Sequence, residues 1–263
     1  MLEVTYDQLH AWLVAFFWPF VRLLAFIMAA PLWGHDSIPR QARIGLAALL
    51  AYVIAPSLPP LPAVPIISWP GLGILVEQLL IGVAMGLVMH VTLSVVMAAG
   101  EYIALKMGLG FATFFASDIG ENTVVLARFL YMITLLMMLA LNVHLAVIEI
   151  LADSFTTLPI GAHPLNADAF AMIARYGGTI FRSGLLLALP VIAALLIINL
   201  SMGILNRASP QLTIFSIGFP LTLTAGLALL MVLMMDFSRF LENLFQQGLN
   251  MLQQVISLSL IHI

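Results

Sequence analysis

The sequence predicts an all-α protein of the integral membrane type, built from kinked apolar helices. Three observations carry that prediction. Of the 263 residues, 63% are hydrophobic and only 8% charged, whereas soluble domains carry about 25% charged residues. The mean hydropathy is +1.13, so lipid must form part of the solvent around this chain. The apolar residues also come in long unbroken runs rich in Leu, Ala, Met and Ile. Strands of a membrane barrel would instead show short alternating segments between turns.

Composition also removes classes of function. There is no cysteine, which excludes disulfides and thiolate metal sites. A net charge of −3 provides no electrostatic attraction for nucleic acid, and none is expected as a partner. The first ten residues hold Glu3 and Asp7 but no Lys or Arg. A cleavable signal begins with a positive segment, so this N-terminus is expected to be retained.

A spanning helix needs about 20 mostly apolar residues. Such runs occur near 11–33, 44–58, 79–100, 129–150, 183–205 and 211–235. Arg22 interrupts the first, and the second offers only about a dozen residues before Pro56. The stretch PSLPPLPAVP, Pro56 to Pro65, reads as an extended linker, because proline removes a donor and blocks helix. Pro190 and Pro220 fall inside the fifth and sixth runs and are expected to kink them. Beyond Met235, Phe237, Phe240, Leu241, Leu244, Leu249 and Leu252 recur at helical spacing among Arg239, Glu242 and glutamines. That pattern predicts an interfacial or partner-facing helix over 237–256. The bias of Lys and Arg among connections sets membrane orientation. Here Arg40, Arg43, Lys106, Arg128 and Arg207 oppose Arg175, Arg182 and Arg239, which leaves orientation open.

Four constellations stand out. Gly82 and Gly86 form a GxxxG, where missing side chains let helices approach closely, so helix 79–100 is expected to touch protein. Arg22 and Glu77 are ionisable groups in or beside apolar runs, which face a protein interior or a wet cavity. They read either as a structural ion pair between helices or as a coupling site. His144, Glu149 and Asp153 read as a wetted helix end, with metal binding as the alternative; Glu149 and Asp153 share a face by i,i+4 spacing. The stretch KMGLGFATFFASDIGENTVVLAR, Lys106 to Arg128, joins glycines to three phenylalanines and a polar patch. Glycine permits backbone shapes that other residues resist, so this loop reads as a pore constriction or as an interfacial anchor. Enzyme motifs are absent: there is no HExxH, GxSxG, P-loop or GxGxxG.

Several stretches together resemble the FliR family of the bacterial flagellar export gate, whose injectisome counterpart is SctT. They are FFWPFVRLLAFIMAAPLWG with IPRQARIGLA, then EYIALKMGLGFATFF, TLPIG at 157–161, and LALPVIAALLIINLSMGILNRASPQLTIFSIGFPLTLTAGLALL at 187–230. The resemblance spans residues 1–250 in one order. The chain departs from the family at Gly110, where Ser is frequent, and at Asn142-Val143-His144, where NGH is frequent. It also has Ile119 after Asp118, where the family commonly has proline.

The resemblance implies a single export-gate domain over 1–256, with a tail at 257–263 of no assigned role. It implies a non-enzymatic subunit of the type III export apparatus, without cofactor or metal, in the inner membrane at the flagellar basal body. FliP-like and FliQ-like subunits, with an FlhB-like protein, are the implied partners. Unfolded flagellar proteins are the implied cargo, and membrane lipid the remaining contact. In such an assembly much apolar surface lies between subunits, so six lipid-facing spans are not expected. The resemblance places the channel's closing loop at Met107, Gly108, Gly110, Phe111, Phe114 and Phe115. Asn206, Arg207, Pro210 and Gln211 mark a helical hairpin whose second arm is kinked at Pro220 beside Gly218, and the resemblance packs its two arms against neighbouring subunits around the channel. Ser209 suits an N-cap there and Pro210 a first turn. The rival reading is a secondary transporter of small solutes using Arg22 and Glu77. Such transporters are built from repeats, and no internal repeat is visible here. An intramembrane enzyme is the remaining alternative.

Overall fold

The computed structural model describes residues 5–59, 61–62, 64–109, 125–161, 167–208 and 218–258. Among the described residues there are eight α-helices, one short 3-10 turn and no strand. The helices are α1 (Tyr6–Ala29), α2 (Arg40–Ile54), α3 (Trp69–Lys106), α4 (Val125–Ala140), α5 (Val143–Thr157), α6 (Ala167–Tyr176), α7 (Gly178–Ala208) and α8 (Phe219–Leu258).

Local chemistry sets most boundaries. At the start of α1 the Thr5 N–H donates to the Gln8 side chain at 3.2 Å, which satisfies a donor that the helix leaves orphaned. Pro19 lies inside α1, and the helix continues past it. Arg43 fastens the turn between α1 and α2, donating to the Ile38 and His35 carbonyls at 3.1 and 2.7 Å. The 3-10 turn Ala55–Ser57, with Pro56 in it, ends α2. At 15 residues, α2 is about 22 Å long and cannot cross a hydrocarbon core of about 30 Å. Run 44–58 is therefore not a span.

Helix α3 is much longer than the run at 79–100 that announces it. The Ser68 hydroxyl accepts from the Gly71 N–H at 3.1 Å and caps the first turn. Pro70 stands in that turn, where its missing donor costs nothing. At 38 residues the helix measures about 57 Å. It ends in a paired cap: Leu109 N–H bonds to Ala104 O at 3.0 Å and Gly108 N–H to Leu105 O at 3.2 Å. Gly108 has φ of +85°, the left-handed shape this Schellman arrangement demands.

Run 129–150 is not one helix. It bends at Asn142, which has φ of 56° and separates α4 from α5; asparagine tolerates this conformation better than most residues. Pro190 lies within α7, which is assigned as one element through it. Pro220 stands in the first described turn of α8, so the interior kink expected in run 211–235 is not found at that residue. Run 211–235 and the amphipathic 237–256 form one helix, α8. The apolar stripe of its second half is buried within the chain: Phe237, Leu241, Leu244 and Leu252 are all buried. Phe240 and Leu249 of the same stripe are half-buried, so the chain itself supplies most of the neighbours this stripe needs.

By length and composition four helical stretches could cross a membrane, and the bent α4–α5 pair makes a fifth. The chain divides into two compact units. One comprises Met1–Val91, Asn142–Gly177 and Gln246–Ile263, the other Thr92–Leu141 and Gly178–Phe245. In the first, α1 crosses α3 at the glycines: a Cβ on Gly82 would strike the Arg22 carbonyl oxygen and lie 2.7 Å from the Ala25 Cβ. A Cβ on Gly86 would lie 2.5 Å from that of Ala29. In the second, Gly100 of α3 sits against Ala127 of α4, and Gly184 of α7 against Val95 and Ala98 of α3.

Candidate functional site

The most polar site in this apolar chain is built around Arg22, which is 0% exposed. Helix α1 carries it into the first unit, between α3 and the C-terminal end of α5. Its Nε donates to Gln78 Oε1 at 2.8 Å. Nη1 donates to the Ser154 carbonyl at 2.9 Å and to Ser154 Oγ at 3.0 Å, and Nη2 to the Leu158 carbonyl at 2.9 Å. The guanidinium also lies 4.3 Å from the centre of the Phe155 ring, a cation–π distance.

Each partner has a physical reason. A helix ends with four carbonyls that lack intrahelical donors, and its C-terminus carries partial negative charge. The Ser154 and Leu158 carbonyls are at that end of α5; Ser154 O already accepts from the Leu158 N–H at 2.8 Å, so the guanidinium takes its second lone pair, the free Leu158 carbonyl and the helix dipole at once. Ser154 Oγ donates onward to Leu151 O at 2.6 Å, leaving its lone pairs for Arg22. Only arginine offers a flat fork of donors that stays charged when buried.

Glu77 does not touch Arg22. Gln78, fully buried beside it, stands between them: its Oε1 accepts from Arg22 and its Nε2 donates to Glu77 Oε1 at 3.3 Å. The Gly161 N–H also donates to the Glu77 carboxylate. Gly161 has φ of +77°, and a Cβ there would press on Pro62 and Ile74 at 3.2 and 3.3 Å. The direct ion pair expected from sequence is thus replaced by a guanidinium–amide–carboxylate relay, because Arg22 spends its donors on the carbonyls of α5. Gln78, Ser154, Phe155 and Gly161 were not singled out from sequence. Their signal was faint: a lone amide next to Glu77, and the TLPIG segment that ends at Gly161.

The other expected sites fall out as follows. Gly82 and Gly86 face α1 of the same chain, so this pair is not a free surface for another subunit. His144 is half-buried with its Nδ1 unpaired among the described residues, while Glu149 and Asp153 are exposed. No group of three potential metal ligands occurs among the described residues. Met107 and Gly108 are the capped end of α3 and not mobile loop: Met107 is fully buried, and its thioether lies where a Cβ on Gly226 of α8 would be. Gly110, Phe111, Phe114 and Phe115 lie outside the described residues. Asn206 and Arg207 form the last turn of α7, where a cation suits the helix dipole. Pro210 and Gln211 lie outside the described residues, and buried Gly218 leads into α8.

The surface is dominated by apolar side chains. Phe181, Leu185, Leu189, Leu196, Leu200 and Ile204 are exposed along α7, as are Leu227, Met231 and Met235 on α8. In an apolar 18-residue window of each stretch that includes these helices only 22% of residues are buried, against 67% in the corresponding window of α3. A chain of this kind is a multi-helix membrane protein whose internal polar groups clasp helices together.

The chain belongs to the bacterial export proteins, family 1, whose model matches residues 13–248, and within it to the FliR group. It is 47% identical over 257 residues to flagellar biosynthetic protein FliR of Escherichia coli (strain K12), covering 98% of each chain. The FliR protein of Pectobacterium carotovorum subsp. carotovorum is 47% identical over 246 residues, 94% of each chain. That of Bacillus subtilis (strain 168) is 29% identical over 247 residues, 93% of this chain and 95% of the other. The family and the long apolar helices make this a membrane protein of the flagellar apparatus.

Proposed function

We propose that this chain is a non-enzymatic, channel-forming subunit of the flagellar type III export gate in the inner membrane. FliP-like and FliQ-like subunits complete the channel, an FlhB-like protein adjoins it, and unfolded flagellar proteins pass through. The observation that carries this reading is the exposed apolar surface of α7. From Phe181 to Leu205 it runs over 25 positions, about 36 Å along the axis. That exceeds the hydrocarbon thickness of about 30 Å, and large exposed apolar surfaces mark interaction sites. Protein neighbours cover what lipid does not.

The transporter reading loses its coupling site. Arg22 is 0% exposed and its donors are taken by Gln78 and the Ser154 and Leu158 carbonyls, whereas a coupling charge faces a wet cavity. In the proposed channel the segment after Leu109 is the closing plug, with Phe111, Phe114 and Phe115 as its bulk. Burying one Phe stabilises by about 1.5–3 kcal/mol, enough for a few to favour closure and still yield to an inserted chain. The test is co-expression with FliP-like and FliQ-like subunits, followed by mass determination of the intact complex. One monodisperse complex is expected, with poor behaviour of the chain alone. A stable lone monomer that melts reversibly refutes the reading.

A further inference from the structure

One face of α3 remains open although the helix is otherwise well covered. Leu72, Val76, Leu80, Val83 and Leu87 are exposed at spacings of three and four, so they form a single stripe. Residues on either side of it, Ala84 and Val88 on one and Gly82 and Gly86 on the other, are buried. The stripe is therefore about one helix wide, and Leu72 to Leu87 spans about 22 Å. Glu77 lies at its edge, half-buried. One turn earlier Gly73 is exposed, and a Cβ there would meet nothing within 4 Å. A carboxylate thus borders a shallow notch on an apolar face.

Among the described residues Glu77 makes no direct ion pair, and the Arg22 charge attracts it only from beyond Gln78. Gln78 and Gly161 donate hydrogen bonds to Glu77, but both are neutral, and Arg22 is held one amide away by other acceptors. Ionisable groups on apolar membrane helices pair with one another or line wet cavities. Trp69, exposed at the start of α3, suits a membrane interface, where tryptophan collects. Glu77 is eight positions further on, about 12 Å along the helix towards its apolar middle. Small residues such as Gly73 let a second helix approach closely.

We propose that this stripe docks a transmembrane helix of a partner subunit carrying one lysine or arginine, which pairs with Glu77. The inference rests on the gate reading above, and it names the chemistry of one partner contact. The apolar stripe sets how the two helices lie together, and the charge pair sets their register.

The experiment uses the full chain co-expressed with FliP-like and FliQ-like subunits. A photo-crosslinking residue at Val76 or Leu80 should join the chain to a partner helix. Glu77→Lys should lower the yield of complex at least about tenfold, since about 1.4 kcal/mol lost in assembly is already tenfold. Glu77→Gln, which keeps the acceptor for Gly161, should lower it less. Exchanging the crosslinked partner's cation for Glu should restore assembly with Glu77→Lys, a rescue that a misfolded variant could not give. His163, close behind Gly161 in sequence, is tested as His163→Ala, which should leave yield unchanged. Crosslinks to lipid alone or within the chain, unchanged yield with Glu77→Lys, absence of charge-swap rescue, or a loss with His163→Ala matching that of Glu77→Gln would each overturn the proposal while parent assembly leaves the gate reading standing. A parent chain that forms no complex overturns both.

Discussion

Replacing Arg22 with Met keeps a long apolar stem in the core but removes every donor. The Ser154 and Leu158 carbonyls and Gln78 Oε1 then lose their charged partner. Ser154 Oγ is spared, because it still donates to Leu151 O. The Ser154 carbonyl still accepts from the Leu158 N–H, so two buried acceptors, the Leu158 carbonyl and Gln78 Oε1, are left unsatisfied, at about 1–3 kcal/mol each or about 2–6 kcal/mol together. Partial relief is available, since Gln78 can turn its amide and the end of α5 can fray. Breaking a buried charged network by removing one partner costs about 3–5 kcal/mol, and the two routes agree. In a chain of this size 1 kcal/mol moves the melting midpoint by about 2–4 °C, which converts to a fall of about 6–20 °C. Arg22→Lys keeps the charge but not the planar fork, and about half the loss is expected. The assay is thermal unfolding of the assembled, detergent-solubilised complex, read by tryptophan fluorescence, with complex yield alongside. An Arg22→Met variant that melts within about 2 °C of the parent would show that water or backbone adjustment replaces the guanidinium, and the clasp would carry no energetic weight.

Five further outcomes are expected. Gly82→Leu should abolish recoverable complex, because even its Cβ would enter the α1 backbone at Arg22; Gly203→Ala, with open space around it, should be neutral or stabilise by up to about 1 kcal/mol. Gly108→Ala forces an L side chain to φ of +85° against the Phe219 ring and should cost about 1 kcal/mol or slightly more, visible as a few degrees in the melt. Pro210→Leu combined with Arg207→Leu should abolish both assembly and swimming on soft agar, whereas normal motility would show the turn to be dispensable. Changing Phe111, Phe114 and Phe115 together to Ala should leave the complex assembled but leaky in a conductance or small-solute entry assay, with secretion partly retained; an equally tight complex would place the plug elsewhere.

Where sequence and structure part, helix chemistry explains the difference. The start of α3 was missed because Ser68 and Pro70 are weak in hydropathy, although together they make a good N-terminus. The break at Asn142 was invisible because one left-handed residue does not alter an apolar average. Gly108 read as a flexible hinge, since composition cannot distinguish a glycine that bends from one that caps; the two bonds from Gly108 and Leu109 decide it. The amphipathic pattern after Phe237 was read correctly as a helix, but its partner was assigned outside the chain. Periodicity reports that a stripe must be covered, not by what.

By itself the sequence determined that this protein is all-helical, lives with lipid, and belongs to an export family, because composition, apolar run length and the NRASPQL block act locally and survive any arrangement of helices. Only the tertiary structure decided what the polar residues do. Arg22 and Glu77 are 55 positions apart, and whether they pair depends on which other acceptors reach the guanidinium first. Ser154 and Leu158, more than 130 positions from Arg22, win that competition because a helix end presents carbonyls with free lone pairs and partial negative charge in a fixed direction. Long-range geometry of this kind leaves no periodic trace along the chain, so it could not have been read there.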